Sequence, residues 1–255
     1  MRELTEVADG VFVATSAIMS TTSTVLIGDD EALLIDPCWL PTELDGLADT
    51  LDARGLTVVG GFATHAHHDH LLWHERFGRA PRWASQATAA LARDERAELL
   101  HSLGAGFPHP LADLMGRVDG VDAAIPSESV PRGFAPELVV HDGHAPGHTA
   151  VWLPEQRVLV AGDMLSDLEL PLPFAPDDLD SYVAALDRLA PYAAQAAVVI
   201  PGHGTPGGDA LARLDADRRY LNDVVAGRAP ADPRLANPGM DQEYERLQRM
   251  VAANG

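Results

Sequence analysis

Lysine is missing altogether from this chain of 255 residues, and all 18 basic residues are arginine. That absence excludes a lysine Schiff base, pyridoxal-phosphate attachment and a P-loop lysine. Cysteine is nearly absent too. Cys38 stands alone, which rules out an internal disulfide, suits a reducing compartment and reads as a small buried thiol. No apolar run nears the ~20 residues that span a bilayer. Met1 to Gly10 lacks the apolar core of a secretory leader. A cytoplasmic chain with no membrane partner is therefore expected. Positive charge is scarce: 18 arginines face 38 acidic residues, for a formal net charge of −20. Such a surface repels phosphate backbones and no basic cluster offsets it, so nucleic acid is disfavoured as a partner. With 46% apolar residues, the length suits one large domain with a substantial core.

What the chain does have is concentrated in Thr64-His65-Ala66-His67-His68-Asp69-His70. It contains His-x-His-x-Asp-His at His65, His67, Asp69 and His70. Histidine and aspartate are costly to bury unless paired or coordinated. The β-branched stretch from Leu56 to Ala63 reads as a buried strand delivering the cluster to a sheet edge, with a helix beginning near Asp69. A histidine-rich surface loop is the bland alternative. Three later stretches weigh against it: Pro146-Gly147-His148, Gly162-Asp163 and Pro201-Gly202-His203-Gly204. Each sets one metal-binding side chain in a glycine-rich turn beside a β-like run, and loops at one sheet edge can converge. Imidazole with carboxylate suits zinc first, then iron or manganese.

The set His65, His67, Asp69, His70, His148, Asp163 and His203 resembles the metallo-β-lactamase superfamily, from the N-terminus to about Val225. The resemblance implies an α/β fold, a four-layer αβ/βα sandwich in a single domain with the metals at one edge. Residues 1–228 would form that domain, and 229–255 a linker and closing helix. Two divalent ions are implied, zinc or else manganese or iron. His65, His67 and His148 would hold one, Asp69, His70 and His203 the other, and Asp163 would bridge them. Asp69 would also be catalytic, orienting the attacking hydroxide or shuttling its proton. Asp36 would support the metal loop, a turn cap before Pro37 being the equal alternative.

Two such ions make hydroxide available near neutral pH and polarise a carbonyl. No Gly-x-Ser-x-Gly nucleophile elbow is present. Within the superfamily, true β-lactamases usually lack the bridging aspartate and are exported. Glyoxalase II enzymes carry a basic C-terminal helical region, and ribonuclease-Z-like enzymes a basic surface. Lactonases and thioesterases remain, so hydrolysis of a small-molecule ester, thioester or lactone is the expectation. Two other classes stay open. One is a persulfide dioxygenase holding a single iron on His65, His148 and Asp163. The other is a binding module that keeps the fold without catalysis.

The remaining chain reads in order as strands Val7–Ala14, Thr24–Gly28 and Glu31–Ile35, then a helix over Pro41–Arg54. Trp39 is placed beside the pocket. His68 is read as solvent-facing, meeting substrate being the alternative, and His74 as lining the pocket one helical turn beyond His70. Ala84–Leu103 reads as one helix. Residues 104–136 read as a loop-rich insertion whose Phe107, Leu111, Leu114 and Met115 either cover substrate or pack down. Strands follow at Leu138–His141, Ala150–Leu153 and Arg157–Ala161. His141, Asp142 and His144 are read as supporting the ligands rather than ligating. The proline-stiffened run Ser166–Phe174, with Leu172 and Phe174, is the expected substrate wall. Asp178 or Asp180 caps a helix stopped by Pro191. Gly202 to Gly207 matches Gly-x-Gly-x-x-Gly, but no strand with a terminal acid follows, so dinucleotide binding is rejected. After a linker, Met240, Tyr244, Leu247 and Val251 form a stripe that packs on its own domain or makes a homodimer contact.

Overall fold

A computed structural model describes residues 3–37, 39–173 and 179–254. The expectations for Cys38, Phe174 and the capping Asp178 lie outside the described residues. The first half builds a seven-stranded sheet in sequential order: β1 (Thr5–Ala8), β2 (Val11–Thr15), β3 (Thr22–Gly28), β4 (Glu31–Ile35), β5 (Thr57–Phe62), β6 (Arg82–Ser85) and β7 (Asp119–Val121). Strands β1 to β4 pair antiparallel. From β4 onward the pairing is parallel, and α1 (Pro41–Ala53) makes the crossover from β4 to β5. The second sheet runs β11-β10-β9-β8, with β8 (Glu137–Val140), β9 (Thr149–Leu153), β10 (Val158–Gly162) and β11 (Val198–Pro201). Its β8, β9 and β10 are antiparallel neighbours, while β10 and β11 are parallel, joined through α5 (Leu179–Ala193).

Period-two side-chain alternation explains the layering. On β4, Leu33 and Ile35 face Val151, Leu153, Val158, Val160 and Ile200 of the opposite sheet. Their neighbours Ala32 and Leu34 face outward onto Leu44, Leu47 and Leu51 of α1. On β10 the same split sends Val158 and Val160 inward, and Leu159 and Ala161 outward. That outer face packs on Leu186 and Leu189 of α5 and on Leu214 and Leu221 of α6 (Ala210–Val225). Both sheets are thus apolar on both faces, which forces helix, sheet, sheet, helix. Each fully buried leucine contributes about 1.5–3 kcal/mol to that arrangement.

Several sequence expectations change. Val7–Ala14 is two strands, because Asp9-Gly10 is a hairpin turn with Gly10 at φ 68°. No helix begins at Asp69. Residues 63–74 have no regular structure, and the first helical turn is a 3₁₀ turn at Glu75–Phe77. Ala84 lies on β6. The helix expected over Ala84–Leu103 is split into α2 (Gln86–Asp94) and α3 (Arg96–Ser102) at Glu95. Within 104–136 stand α4 (His109–Leu114) and β7, which extends the large sheet. Leu111 and Met115 are buried in the core beneath it. Pro191 sits inside the last turn of α5, which runs on to Ala193.

The closing helix α7 (Met240–Asn254) buries Met240 and Leu247 in the same core as α5 and α6. Tyr244 meets Tyr220 edge-on. Among the described residues no helix is long and apolar enough to cross a membrane.

Candidate metal centre

The donor side chains converge from strand ends of both sheets, the position open α/β architectures reserve for ligands. The loop after β5 carries His65 to His70, the turn after β10 carries Asp163, and the turn after β11 carries His203. The fourth contribution comes from the hairpin between β8 and β9. Two groups of donor atoms result, each spanning no more than 4.8 Å: His65, His67, His144 and Asp163, and beside them Asp69, His70 and His203. Asp163 lies between the two. Its Oδ2 is 3.4 Å from His65 Nε2, 3.3 Å from His144 Nε2 and 3.3 Å from His203 Nε2, and its Oδ1 is 3.2 Å from His70 Nε2.

His144, and not His148, stands in the first group. The reason is the hairpin's geometry. His141 N–H donates to His148 O at 2.8 Å, closing the base of the loop. His148 is therefore anchored at the start of β9, whereas His144 sits at the tip with φ 68°, a left-handed conformation uncommon for a non-glycine residue and typical of constrained sites. His148 stacks behind His65, ring centroids 4.9 Å apart, and its Nε2 accepts the backbone N–H of Asp163 at 3.0 Å. Gly162 has φ 56°, and a Cβ there would collide with the His148 ring, so only glycine lets the two approach. The sequence reading takes His148 as the donor and His144 as a support. The Pro-Gly-His turn draws attention to His148.

The buried polar groups around the donors fix their orientation. His70 Nδ1 donates to Asp36 Oδ2 at 2.9 Å, leaving Nε2 toward Asp163. Asp36 also accepts Thr64 N–H at 2.8 Å and Thr64 Oγ1–H at 2.6 Å. His144 Nδ1 donates to Leu172 O at 2.9 Å, so its Nε2 faces His67 and Asp163. Hydrogen bonding of the far ring nitrogen is how metal-ligating histidines are held. Asp142 is a turn residue accepting Gly147 N–H. His141 stacks on His148 and makes no hydrogen bond with either ring nitrogen among the described residues. His74 is buried away from the pocket, beside Asp45 at 3.1 Å, where it accepts Arg76 N–H and caps the 3₁₀ turn. Without a helix at Asp69, nothing carries it toward the donors. Trp39 packs edge-on against His68 at 5.2 Å and does not line the cavity.

The electrostatics fit a cation. Burial would raise the carboxyl of Asp163, yet His203, His70 and His65 hold it well below the usual range. Burial likewise opposes the charge on His203, but Asp163 and Asp69 push that ring up to about 12, and His70 is driven up by Asp163, Asp69 and Asp36 in the same way. His67 is lowered to about 3, by burial first and then by His144. Protons on His70 and His203 thus balance the carboxylates, while His65 and His67 stay neutral with lone pairs available. Asp163 Oδ1 is buried and faces His70 Nε2 at 3.2 Å, so once His70 gives up its proton to ligate, that oxygen needs another electropositive partner. Imidazole nitrogens facing one another at 3.0–3.4 Å are the arrangement expected around a shared ion. The donor chemistry therefore fits divalent metal.

Over the donors opens a cavity of about 370 Å³, walled besides by Met19, His68, Glu169 and Leu172. A second cavity of about 380 Å³ lies between α6 and residues 230–234. Its buried arginines are engaged: Arg213 with Asp209 and Asp167, Arg234 with Asp217 and Asp232.

Comparison with known proteins agrees with this fold. Residues 18–203 match the family model of the metallo-beta-lactamase superfamily. A metallo-beta-lactamase family protein from Thermus thermophilus is similar at 21% identity and TM-score 0.66, over 96% of this chain and 90% of that one. A beta-lactamase domain protein from Burkholderia ambifaria is similar at 20% identity and TM-score 0.67, over 98% and 85%. A metallo-beta-lactamase from Pontibacter korlensis is similar at 23% identity and TM-score 0.60, over 84% and 98%. At these identities the structures speak for the fold.

Proposed function

The chain belongs to the metallo-beta-lactamase superfamily, and on that premise we propose that it hydrolyses a small ester, thioester or lactone with the help of two divalent ions, zinc before manganese or iron. One ion would be held by His65, His67 and His144, the other by Asp69, His70 and His203, and Asp163 would serve both. The observation that carries this reading is the position of Asp163, whose two carboxylate oxygens reach nitrogens of both donor groups at 3.2–3.4 Å. When bound, such ions lower the pKa of a water and polarise a carbonyl oxygen.

The chain's own residues supply the rest. Asp69 is buried, accepts Thr21 Oγ1–H at 3.4 Å and sits 3.3 Å from His203. Held ionised by His70 and His203 against its burial, it can orient the attacking water and take its proton. Leu172 and Met19 give the cavity apolar sides that exclude bulk water. Asp36 and Leu172 O keep His70 and His144 pointed inward.

A complete second group at Asp69, His70 and His203 favours two ions over a single iron. The test is metal content on protein purified without added metal, with turnover of an ester, thioester and lactone panel and oxygen uptake with a persulfide. About two ions per chain, ester-type turnover and no oxygen uptake are expected. One iron with oxygen consumption would overturn the hydrolase reading in favour of sulfur oxidation.

A further inference from the structure

The cavity over the metal centre contains one charged side chain that the hydrolytic reading does not use, Glu169. No lysine or arginine lines that cavity among the described residues. The Glu169 carboxylate makes no hydrogen bond or ion pair with any described residue, yet it lies close enough to His203, Asp163, Asp69 and His70 to interact with all of them. It therefore shares the cavity with the donor atoms, its carboxylate unpaired among the described residues.

Its placement is not left to a loose loop. Glu169 N–H donates to Ser166 Oγ at 2.9 Å, and Ser166 Oγ–H in turn donates to His203 O at 2.6 Å. Glu169 O accepts Arg234 Nη1–H at 2.9 Å, and the same nitrogen reaches Ser166 O at 3.0 Å. On either side, Leu168 O accepts Asn237 Nδ2–H at 2.7 Å and Leu170 N–H points at Met240 Sδ at 3.2 Å. Residues 234–240 lie beyond the part of the chain that matches the family model. The C-terminal segment therefore clamps the backbone on both sides of Glu169. A clamped carboxylate, unpaired among the described residues, in a cavity that no lysine or arginine lines discriminates by charge.

We propose that Glu169 is a specificity-determining residue: its carboxylate receives an ammonium or other hydrogen-bond-donating group on the substrate, and turns away substrates that carry a carboxylate at that place. The proposal rests on the reading of this cavity as a metal-dependent hydrolytic site. Burial raises the Glu169 carboxyl to about 7, and divalent ions in the neighbouring donor groups would favour its ionised form. The acceptor function holds whatever bond the enzyme cleaves.

The test uses binding, not turnover. Three metal-binding probes of matched length are titrated calorimetrically into the full chain loaded with two equivalents of zinc: β-alanine hydroxamate, butyrohydroxamate and succinate monohydroxamate. They differ only in bearing an ammonium, a methyl or a carboxylate. The ammonium probe is expected to bind about tenfold or more tighter than the carboxylate probe, with the neutral one between. In Glu169→Gln, with circular dichroism and metal content unchanged, that spread collapses to about threefold or less. The same spread in the variant, a preference for the carboxylate probe, or no binding of any probe by the loaded chain overturns the proposal. A charge preference without ester, thioester or lactone turnover would strike the hydrolytic reading alone. Turnover with no charge preference would strike the role of Glu169 alone.

Discussion

The ring of His148 accepts the backbone N–H of Asp163 at 3.0 Å, so one histidine positions the carboxylate that faces both donor groups. It does so from behind His65, outside the donor set. Replacing His148 by Phe keeps the stack and removes the acceptor. Metal affinity should fall about 10–100-fold with both ions still bound at saturation. His144→Ala removes a donor and should leave the first group unable to hold its ion. Mass spectrometry of the native chain and competition with a chelator distinguish the two. A His148→Phe variant that binds one ion fewer, beside a His144→Ala variant that keeps both, would reverse the assignment.

The difference between these two histidines marks where sequence reading stopped. Six of the expected donor residues stand in the two groups, four from the single run His65 to His70 and two, Asp163 and His203, from glycine turns at strand ends. The hairpin at 141–149 offers two candidates, His144 and His148. Which histidine reaches inward depends on the loop register, set by the pairing of His141 with His148, and no local pattern encodes that. The sandwich was legible from apolar alternation on strands such as β4 and β10. The missing helix at Asp69 was not: coordination-ready side chains from 65 to 70 must all face one point, and a helix would spread them around its axis. Residues 229–239 read as a linker because they are rich in proline and alanine. Arg234 within them is nonetheless buried and grips two carbonyl oxygens and the carboxylates of Asp217 and Asp232, a tertiary role invisible to composition.

Asp36 is the second support to test. It accepts three hydrogen bonds, one of them from the His70 ring, and its φ of 47° is left-handed. Asp36→Asn retains the shape but cannot accept on both oxygens. Affinity for the second ion should drop about 10–100-fold, and the metal-free chain should lose on the order of 2–3 kcal/mol. Urea unfolding with and without metal measures both. An unchanged second-site affinity would remove Asp36 from the ligand-holding role.

Protons and metal compete for the same histidines. Burial works against charge on His203, but Asp163 and Asp69 push it up to about 12, and His70 is raised likewise. Both rings are therefore protonated in the metal-free chain at neutral pH and must lose a proton to ligate. About two protons should be released per chain on loading, and apparent affinity should rise with pH across pH 6–8, up to about tenfold per pH unit for each proton. Calorimetry in buffers of different ionisation enthalpy counts them directly. Binding without proton release would mean that His70 and His203 are not the ligands of the second ion.

His141 provides the clearest stability signal. It is 6% exposed, stacks on His148, and has no partner on either ring nitrogen among the described residues. Burial, reinforced by Arg188, pushes its pKa down to about 4. The folded residue stays neutral down to that pH, whereas the unfolded one takes up a proton below about 6.5. Between these values the unfolded chain binds more protons, so stability falls as pH falls from about 6.5 to about 4. Above about 6.5 both states are neutral and the contribution vanishes. The lost stability reaches at most about 3 kcal/mol. His65 and His148 are also lowered by burial and add slope of the same sign. The informative quantity is therefore the difference between the wild type and His141→Phe, measured on metal-free protein by urea unfolding at several pH values. That difference should shift in favour of the variant as the pH drops through the window and stay flat above it. A pH-independent difference would show that His141 already has a proton-accepting partner in the folded chain.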